Sequence, residues 1–372
     1  MLTINLNKEI EKMLIERGAM KVGFATLETM AGGPPGADLT YLLPEAQSAV
    51  SFAIPLNKDL IRPFLAKELP NGRADHEQDN IETNIRAWRL AKVIRDFLRE
   101  NGYKAIAVVP NNKYREDVPG WQASLPPELS LRYLAARSGV ASFGWNGSVG
   151  IKGYGTPIIV GGVVTNANLE PTDPLPPEES FCNKCKLCTK VCGYGMFSED
   201  EETSVTLGGY TFSYAKRLNK IRCFLVCGGI NGLHRSGQWS TWSPGRYDYP
   251  EDDYEVTRLL TLGITAQTKR PPIKDHSKGY NPASYGDKGT IQLTCGNCNL
   301  ICWGDPAETA KNYKILKNSG CVVQKEDGEI IVLPPDKAKE EFEKMSSKHK
   351  RLYTKDYKEK LRKKAKITQL MP

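Results

Sequence analysis

Apolar positions three and four residues apart open the chain. Leu6, Ile10, Met13 and Leu14 share one face over residues 5–17, and Gly18 stands where a glycine cap would fall, so the pattern predicts a short amphipathic helix. Residues 48–56, SAVSFAIPL, read as a strand, and a longer helix is expected over 81–100, with Ile81, Ile85, Trp88, Ile94 and Leu98 on one side and Asn101-Gly102 as its stop. A second strand, KAIAVVP, follows that glycine after one residue, giving the helix, turn and strand rhythm of an α/β layer structure. Another helix fits residues 127–138, with Pro127 near its start and Gly139 beyond its end. The segment TPIIVGGVVT from Thr156 is the best buried strand.

Four prolines between Pro171 and Pro177 read as a linker, after which cysteine organises the sequence. Three regions are expected: an α/β core over 1–170, a cysteine module over 171–310 with an inserted loop at 227–294, and a C-terminal hairpin and basic helical tail over 311–372. Asp327-Gly328 between two β-rich runs places that hairpin.

Composition adds limits. No apolar run approaches the roughly 18 residues of a membrane span, and neither a basic leader nor a twin-arginine pair is present, so a soluble, cytoplasmic protein is expected. Net charge is +8, and residues 336–366 carry 13 Lys or Arg against 6 Asp or Glu. A solvated helical face is the commoner meaning of such sequence, and contact with an acidic partner protein or with nucleic acid is the alternative.

Cys182, Cys185, Cys188 and Cys192 form C-x2-C-x2-C-x3-C, the spacing with which bacterial ferredoxins hold 4Fe-4S clusters. In two-cluster ferredoxins the fourth cysteine binds the other cluster, which calls for a complementary motif, and Cys295, Cys298 and Cys302 supply it. The pairing places Cys182, Cys185, Cys188 and Cys302 on one cluster. Cys192, Cys295, Cys298 and one of Cys223, Cys227 or Cys321 complete the other. A zinc site would leave part of the first motif unexplained, and disulfides suit a reducing compartment poorly.

Between Gly144 and Gly155, GWNGSVGIKGYG holds five glycines in twelve residues and matches neither a phosphate loop nor a dinucleotide motif. With GADLTYLLPEAQSAVSFAIPL, RYLAARSGVASFGWNGSVGI, VVTNANLEP, RCFLVC and the two cysteine motifs, it resembles the epoxyqueuosine reductase and reductive dehalogenase superfamily over roughly residues 20–305. The resemblance implies an α/β (α+β) fold: a nitroreductase-like cobalamin-binding core joined to a ferredoxin-like domain with two 4Fe-4S clusters. It also implies that the remote ligand is Cys223, in Arg222-Cys223. It points to Gly144, Asn146, Gly147, Gly153 and Gly155 as cofactor-binding residues. None of His76, His234, His276 or His349 sits in a D-x-H-x-x-G pattern, so the corrinoid would bind without histidine. Clusters reach about −700 mV, low enough to suit reduced cobalt.

The epoxyqueuosine enzymes place an acid where this chain has Leu125, which leaves Glu128 and Tyr154 as candidate proton donors. The stretch from Cys227 to Pro250 mixes His234, Arg235, Trp239, Trp242, Arg246 and Tyr247 with glycine and proline, as binding loops do, or as a surface excursion pinned by its tryptophans would. The activity expected is reduction of a small organic substrate with electrons from a ferredoxin- or flavodoxin-type donor and no membrane partner. The alternatives are an electron-transfer or activator protein serving a partner enzyme, and a tRNA epoxyqueuosine reductase.

Overall fold

A computed structural model describes residues 5–108, 113–275 and 292–354. Helix α1 (Leu6–Ile15) forms as its pattern predicts, with the Asn5 side chain capping the Lys8 N–H and Ile10 and Leu14 buried. There follow β1 (Lys21–Thr26), β2 (Ser48–Pro55), α2 (Lys58–Ala66), α3 (Gly72–Glu100), β3 (Ala105–Val108), α4 (Leu131–Arg137) and β4 (Ile158–Thr165). The four strands make one sheet in the order β1-β2-β4-β3, and every pairing is antiparallel.

The register explains both cores. Phe24, Val50, Val163 and Ala107 stand in one row across the sheet, and this face packs against α3 through Leu90, Ile94 and Leu98. The neighbouring row, Ala25, Ala49, Val164 and Ile106, faces α4 through Leu131 and Leu134. Helix, sheet and helix are therefore layered, but the mixed α/β fold has an antiparallel sheet, with β4 inserted between β2 and β3. Two glycines in β4 allow close approach: a Cβ on Gly161 would lie 2.2 Å from the Phe52 ring, and one on Gly162 2.7 Å from Leu131.

Two helix boundaries differ from expectation. α3 starts nine residues before the expected 81, because its first turns bury polar side chains that hydrophobic periodicity does not register. Arg73 there is held between Glu77, at 3.2 Å, and Asp275, at 2.5 Å, and Glu77 also accepts the Leu293 N–H. α4 begins at Leu131, because the Ser130 hydroxyl caps it, while Pro127 lies in an isolated bridge to Tyr114.

The proline-rich stretch lies along the sheet edge, where the Thr172 hydroxyl donates to Ser138 O at 2.6 Å and the Thr172 N–H donates to Phe24 O at 3.0 Å. Beyond it come α5 (Leu187–Lys190), β5 (Phe197–Leu207), β6 (Tyr210–Arg217), α6 (Lys220–Cys227), α7 (Asp253–Gln267), α8 (Asn297–Leu300), α9 (Pro306–Lys317), β7 (Cys321–Gln324), β8 (Ile330–Leu333) and α10 (Pro335–Lys344). β5 and β6 form a hairpin that reaches back onto the first core: Leu207 is buried there, and the Tyr214 ring stands 5.0 Å from Phe143.

A further core joins the two halves, with Phe64 and Ile61 of α2 packed against Trp239, Trp242, Ile301 and Leu316. The stretch after Cys227 therefore belongs to the interior. Trp239 and Trp242 are each 3% exposed, the Trp242 indole donates to Phe64 O at 2.9 Å, and His234 stacks on Trp239 with its ring nitrogens paired to Ser236 and Lys190 O. Neither an exposed binding loop nor a surface excursion describes it.

The β7–β8 hairpin turns at Asp327-Gly328 as expected. α10 buries Ala338 and Phe342 and pairs Lys337 with Glu340 on its outer face, which is the solvated helical face. The last part of the basic tail, His276 and the centre of the inserted loop lie outside the described residues. Among the described residues, no helix is long and apolar enough to cross a membrane.

Candidate metal centre and adjoining cavity

The glycine-rich segment is the joint between sheet and cysteine module. Residues Ser142–Phe143 pair with Val149–Gly150, and Gly147, in the left-handed region at φ 71°, closes the turn between them. Inside it, Asn146 donates to Cys298 O at 3.0 Å, and the Trp145 N–H donates to Cys182 Sγ at 3.3 Å. At its end the Thr156 N–H donates to Cys302 O at 3.0 Å, and Gly155 lies so close that a Cβ would meet that oxygen at 2.1 Å. One loop thus touches both cysteine motifs.

The cysteines gather in two sets. Cys182, Cys185, Cys188 and Cys302 line a cavity of about 230 Å³, with Gly144, Trp145 and Asn146 on its wall. Burial pushes the Cys188 thiol up to about 12, and the neighbouring Cys182, Cys302 and Cys185 add to it. Burial likewise takes Cys302 to about 11, with Cys182 and Cys185 acting in the same direction. Cys295 is pushed up to about 12 by burial, opposed by backbone N–H groups and reinforced by Cys223 and Cys192. Cys298 lies well above its ordinary value for the same first reason, reinforced by Cys223, Cys295, Cys192 and Cys188.

Cys223 behaves differently, since a hydrogen bond from Cys227 holds it below its ordinary value. Cys321 lies apart, buried in the hairpin β7. Among the described residues, no three His, Cys, Asp or Glu side chains converge as the ligands of a single ion do. The first four thiols stand around the walls of a space.

Beside this space, sharing Thr156 as a wall, lies a second cavity of about 510 Å³. Its floor is apolar, from Leu129, Leu131, Val149 and Ile158–Val160, and its rim carries Arg132, Arg217 and Lys220. Asn299, next to Cys298, reaches it from the cysteine side. Burial brings Arg132 down to about 10, with the Arg217 charge next in effect, and Lys220 is lowered by burial and then by Arg217 and Arg132. Sequence reasoning missed these three cations. Arg132 lies far ahead of the neighbouring Arg217 and Lys220 in the chain, and no local signal joins it to them.

The candidate site residues divide accordingly. Gly144 and Asn146 line the thiol cavity, Gly147 abuts Tyr214 and Arg217, Gly155 backs onto Cys302, and Gly153 faces open space. Glu128 lines neither cavity, although Leu125, Pro127 and Leu129 around it line the larger one. Tyr154 also lies outside both: its hydroxyl donates to Leu56 O, its ring receives Lys58 Nζ at 3.9 Å, and burial raises its pKa.

An antiparallel sheet clamped by a glycine loop to a module with two sets of thiols defines the class, a mixed α/β protein built around a cysteine centre. In structure the chain is similar to epoxyqueuosine reductases and reductive dehalogenases. An epoxyqueuosine reductase solved with an epoxyqueuosine-modified tRNA-Tyr stem loop is 19% identical over 62% of this chain and 58% of its own, at a TM-score of 0.38. The Bacillus subtilis epoxyqueuosine reductase is 19% identical over 62% and 59%, also at 0.38. The catabolic reductive dehalogenase NpRdhA is 16% identical over 58% of this chain and 28% of its own, at 0.41. The likeness is partial, and the chain spans little more than half the length of these reductases and under a third of the dehalogenase. No family model matches the chain, and no curated protein matches it.

Proposed function

We propose that the protein is an iron-sulfur reductase with two cysteine-ligated 4Fe-4S clusters and a corrinoid in the larger cavity. The observation that carries this reading is that each set of four thiols draws members from both motifs, as crossed two-cluster ligation requires. The donor chemistry fits: four soft thiols line one space, and thiolates are the ligands that iron-sulfur clusters take. Cys182, Cys185, Cys188 and Cys302 would hold one cluster, and Cys192, Cys223, Cys295 and Cys298 the other. When bound, the clusters supply single electrons at low potential and the corrinoid supplies a strongly reducing cobalt.

The chain's own residues arrange a direction. Cys185 is exposed, and Lys152 and Lys186 line the same cavity, so the first set meets the surface on a cationic patch that suits an acidic donor such as a ferredoxin or flavodoxin. Cys295 and Cys298 lie deeper, and Asn299 leads from them to the larger cavity. The apolar floor of that cavity suits a flat macrocycle. Lys220, made more acidic by burial and then by its cationic neighbours, stands ready to hold a proton at Nζ, a role neither Glu128 nor Tyr154 fills from where it lies.

Anaerobically purified protein is expected to carry about eight irons and to take up cobalamin with a change in its visible spectrum. Iron-free protein after oxygen-free handling would overturn the cluster reading. Intact clusters with no corrinoid uptake would favour the second reading, an electron-transfer protein serving a partner enzyme, which the displacement of Glu128 and Tyr154 from the cavity supports.

A further inference from the structure

A buried cation stands by the second thiol set and lines neither cavity. Lys67 follows the last residue of α2 at φ 57°, in the left-handed region that favours glycine. It is 3% exposed, its Nζ donates to Ser319 Oγ, and the Trp239 ring lies 5.8 Å from that nitrogen. Among the described residues, the charged groups that act on it are two thiols, Cys321 first and then Cys295, and no carboxylate.

A lysine enclosed in this way is destabilising unless something of opposite sign lies near, and burial takes it down to about 7. Cys321 is a poor counter-charge: it is 1% exposed, and burial pushes its thiol up, toward the neutral form. Cys295 belongs to the second set, and a thiol on iron keeps its negative charge. Arg217 acts on the same set through Cys223. At the first set the cations are Lys152 and Lys186, and both reach solvent, which screens them.

Resting on the cluster reading above, we propose that Lys67 is the counter-charge of the second set and holds its reduction potential above that of the first. A positive charge in a low-dielectric interior stabilises the state with one more electron, and does so most for the nearer centre. One electron then passes inward from the first set to the second, oxidising one and reducing the other, with no bond made or broken. Lys67 comes from the sheet half of the molecule, so the potential of the cysteine module depends on how that half packs against it.

The test is a redox titration of anaerobically purified protein followed by electron paramagnetic resonance, in which the signal that Cys223→Ser removes marks the second set. Lys67→Met, which removes the charge at similar volume, should lower that midpoint by at least about 59 mV, tenfold in a one-electron reduction equilibrium, and leave the other nearly where it is. Lys67→Gln, which keeps a hydrogen bond to Ser319, should do the same. Lys67→Arg should retain most of the original value, and Ser319→Ala, which removes the hydrogen bond but not the charge, should move it little.

With about eight irons present, an unchanged second midpoint in Lys67→Met and Lys67→Gln overturns the proposal and leaves the cluster reading standing. Equal shifts of both midpoints, or a shift in Ser319→Ala as large as that in Lys67→Gln, assign the effect to packing and also overturn it. Should neither uncharged variant fold, the unaltered protein decides, because a second midpoint below the first contradicts the proposal. Iron-free protein sinks the cluster reading and the proposal together.

Discussion

Cys223 and Cys227 sit one turn apart on α6 with similar surroundings, yet they are not equivalent. Among the other thiols, Cys223 acts most strongly on Cys298, and Cys227 donates a hydrogen bond to Cys223. Cys223→Ser should therefore lose one cluster, taking iron from about eight to about four per chain, whereas Cys227→Ser should keep about eight and shift only a midpoint potential. Iron analysis and a redox titration separate the two; equal iron loss in both would undo the assignment. Arg73 offers a test of a different kind, because it is enclosed with Glu77 and Asp275. Removing it as Arg73→Met leaves two carboxylates buried together and should cost about 3–5 kcal/mol in urea unfolding. Lys337→Ala, on an exposed pair, should change stability by no more than about 0.5 kcal/mol.

At the scale of elements, legibility followed hydrophobic pattern and turn chemistry. α1, β2, β4 and the Asp327-Gly328 hairpin were readable because apolar spacing and a turn residue agreed. The first turns of α3 were not, since their buried positions include Arg73, His76 and Glu77, and the partners of Arg73 and Glu77, Asp275 and the Leu293 N–H, lie far on in the chain. The β5–β6 hairpin was missed although Gly208-Gly209 marks its turn, because eight of the eleven β5 residues are polar and only Val205 and Leu207 near the turn alternate inward. The thiols lining the smaller cavity were legible from spacing and Cys223 only from the family resemblance; the cationic rim was not legible, since nothing in the local sequence of Arg132 predicts its meeting with Arg217 and Lys220. The glycine loop braces the cysteine module. Gly155→Ala, at φ 88° and against Cys302 O, should push the loop off that module, lowering iron content and the unfolding midpoint together. Gly153→Ala, facing open space, carries only the backbone cost of φ 77° and should retain iron.

For the whole molecule, the two halves share one hydrophobic core across α2 and the buried tryptophans, so unfolding should be a single transition. Its acid limb has an identifiable cause. Burial holds both His76 and His234 down to about 4, against about 6.5 in an unfolded chain. Between those values the unfolded state binds more protons, so stability is full above pH 6.5 and falls as pH drops toward 4. Urea unfolding at pH 7.5 and pH 5 should differ by about 2 kcal/mol for each histidine, and His234→Gln should remove its share of the difference.

Under the proposed cluster reading, crossed ligation also dictates a schedule for biogenesis. Cys302 stands with Cys182, Cys185 and Cys188, and Cys192 stands with Cys295 and Cys298. Neither tetrad can be completed while the ribosome has delivered only the first motif, however long translation pauses there. Iron loading therefore waits for more than a hundred further residues to emerge, and a product released early should leave the ribosome with no complete set of ligands.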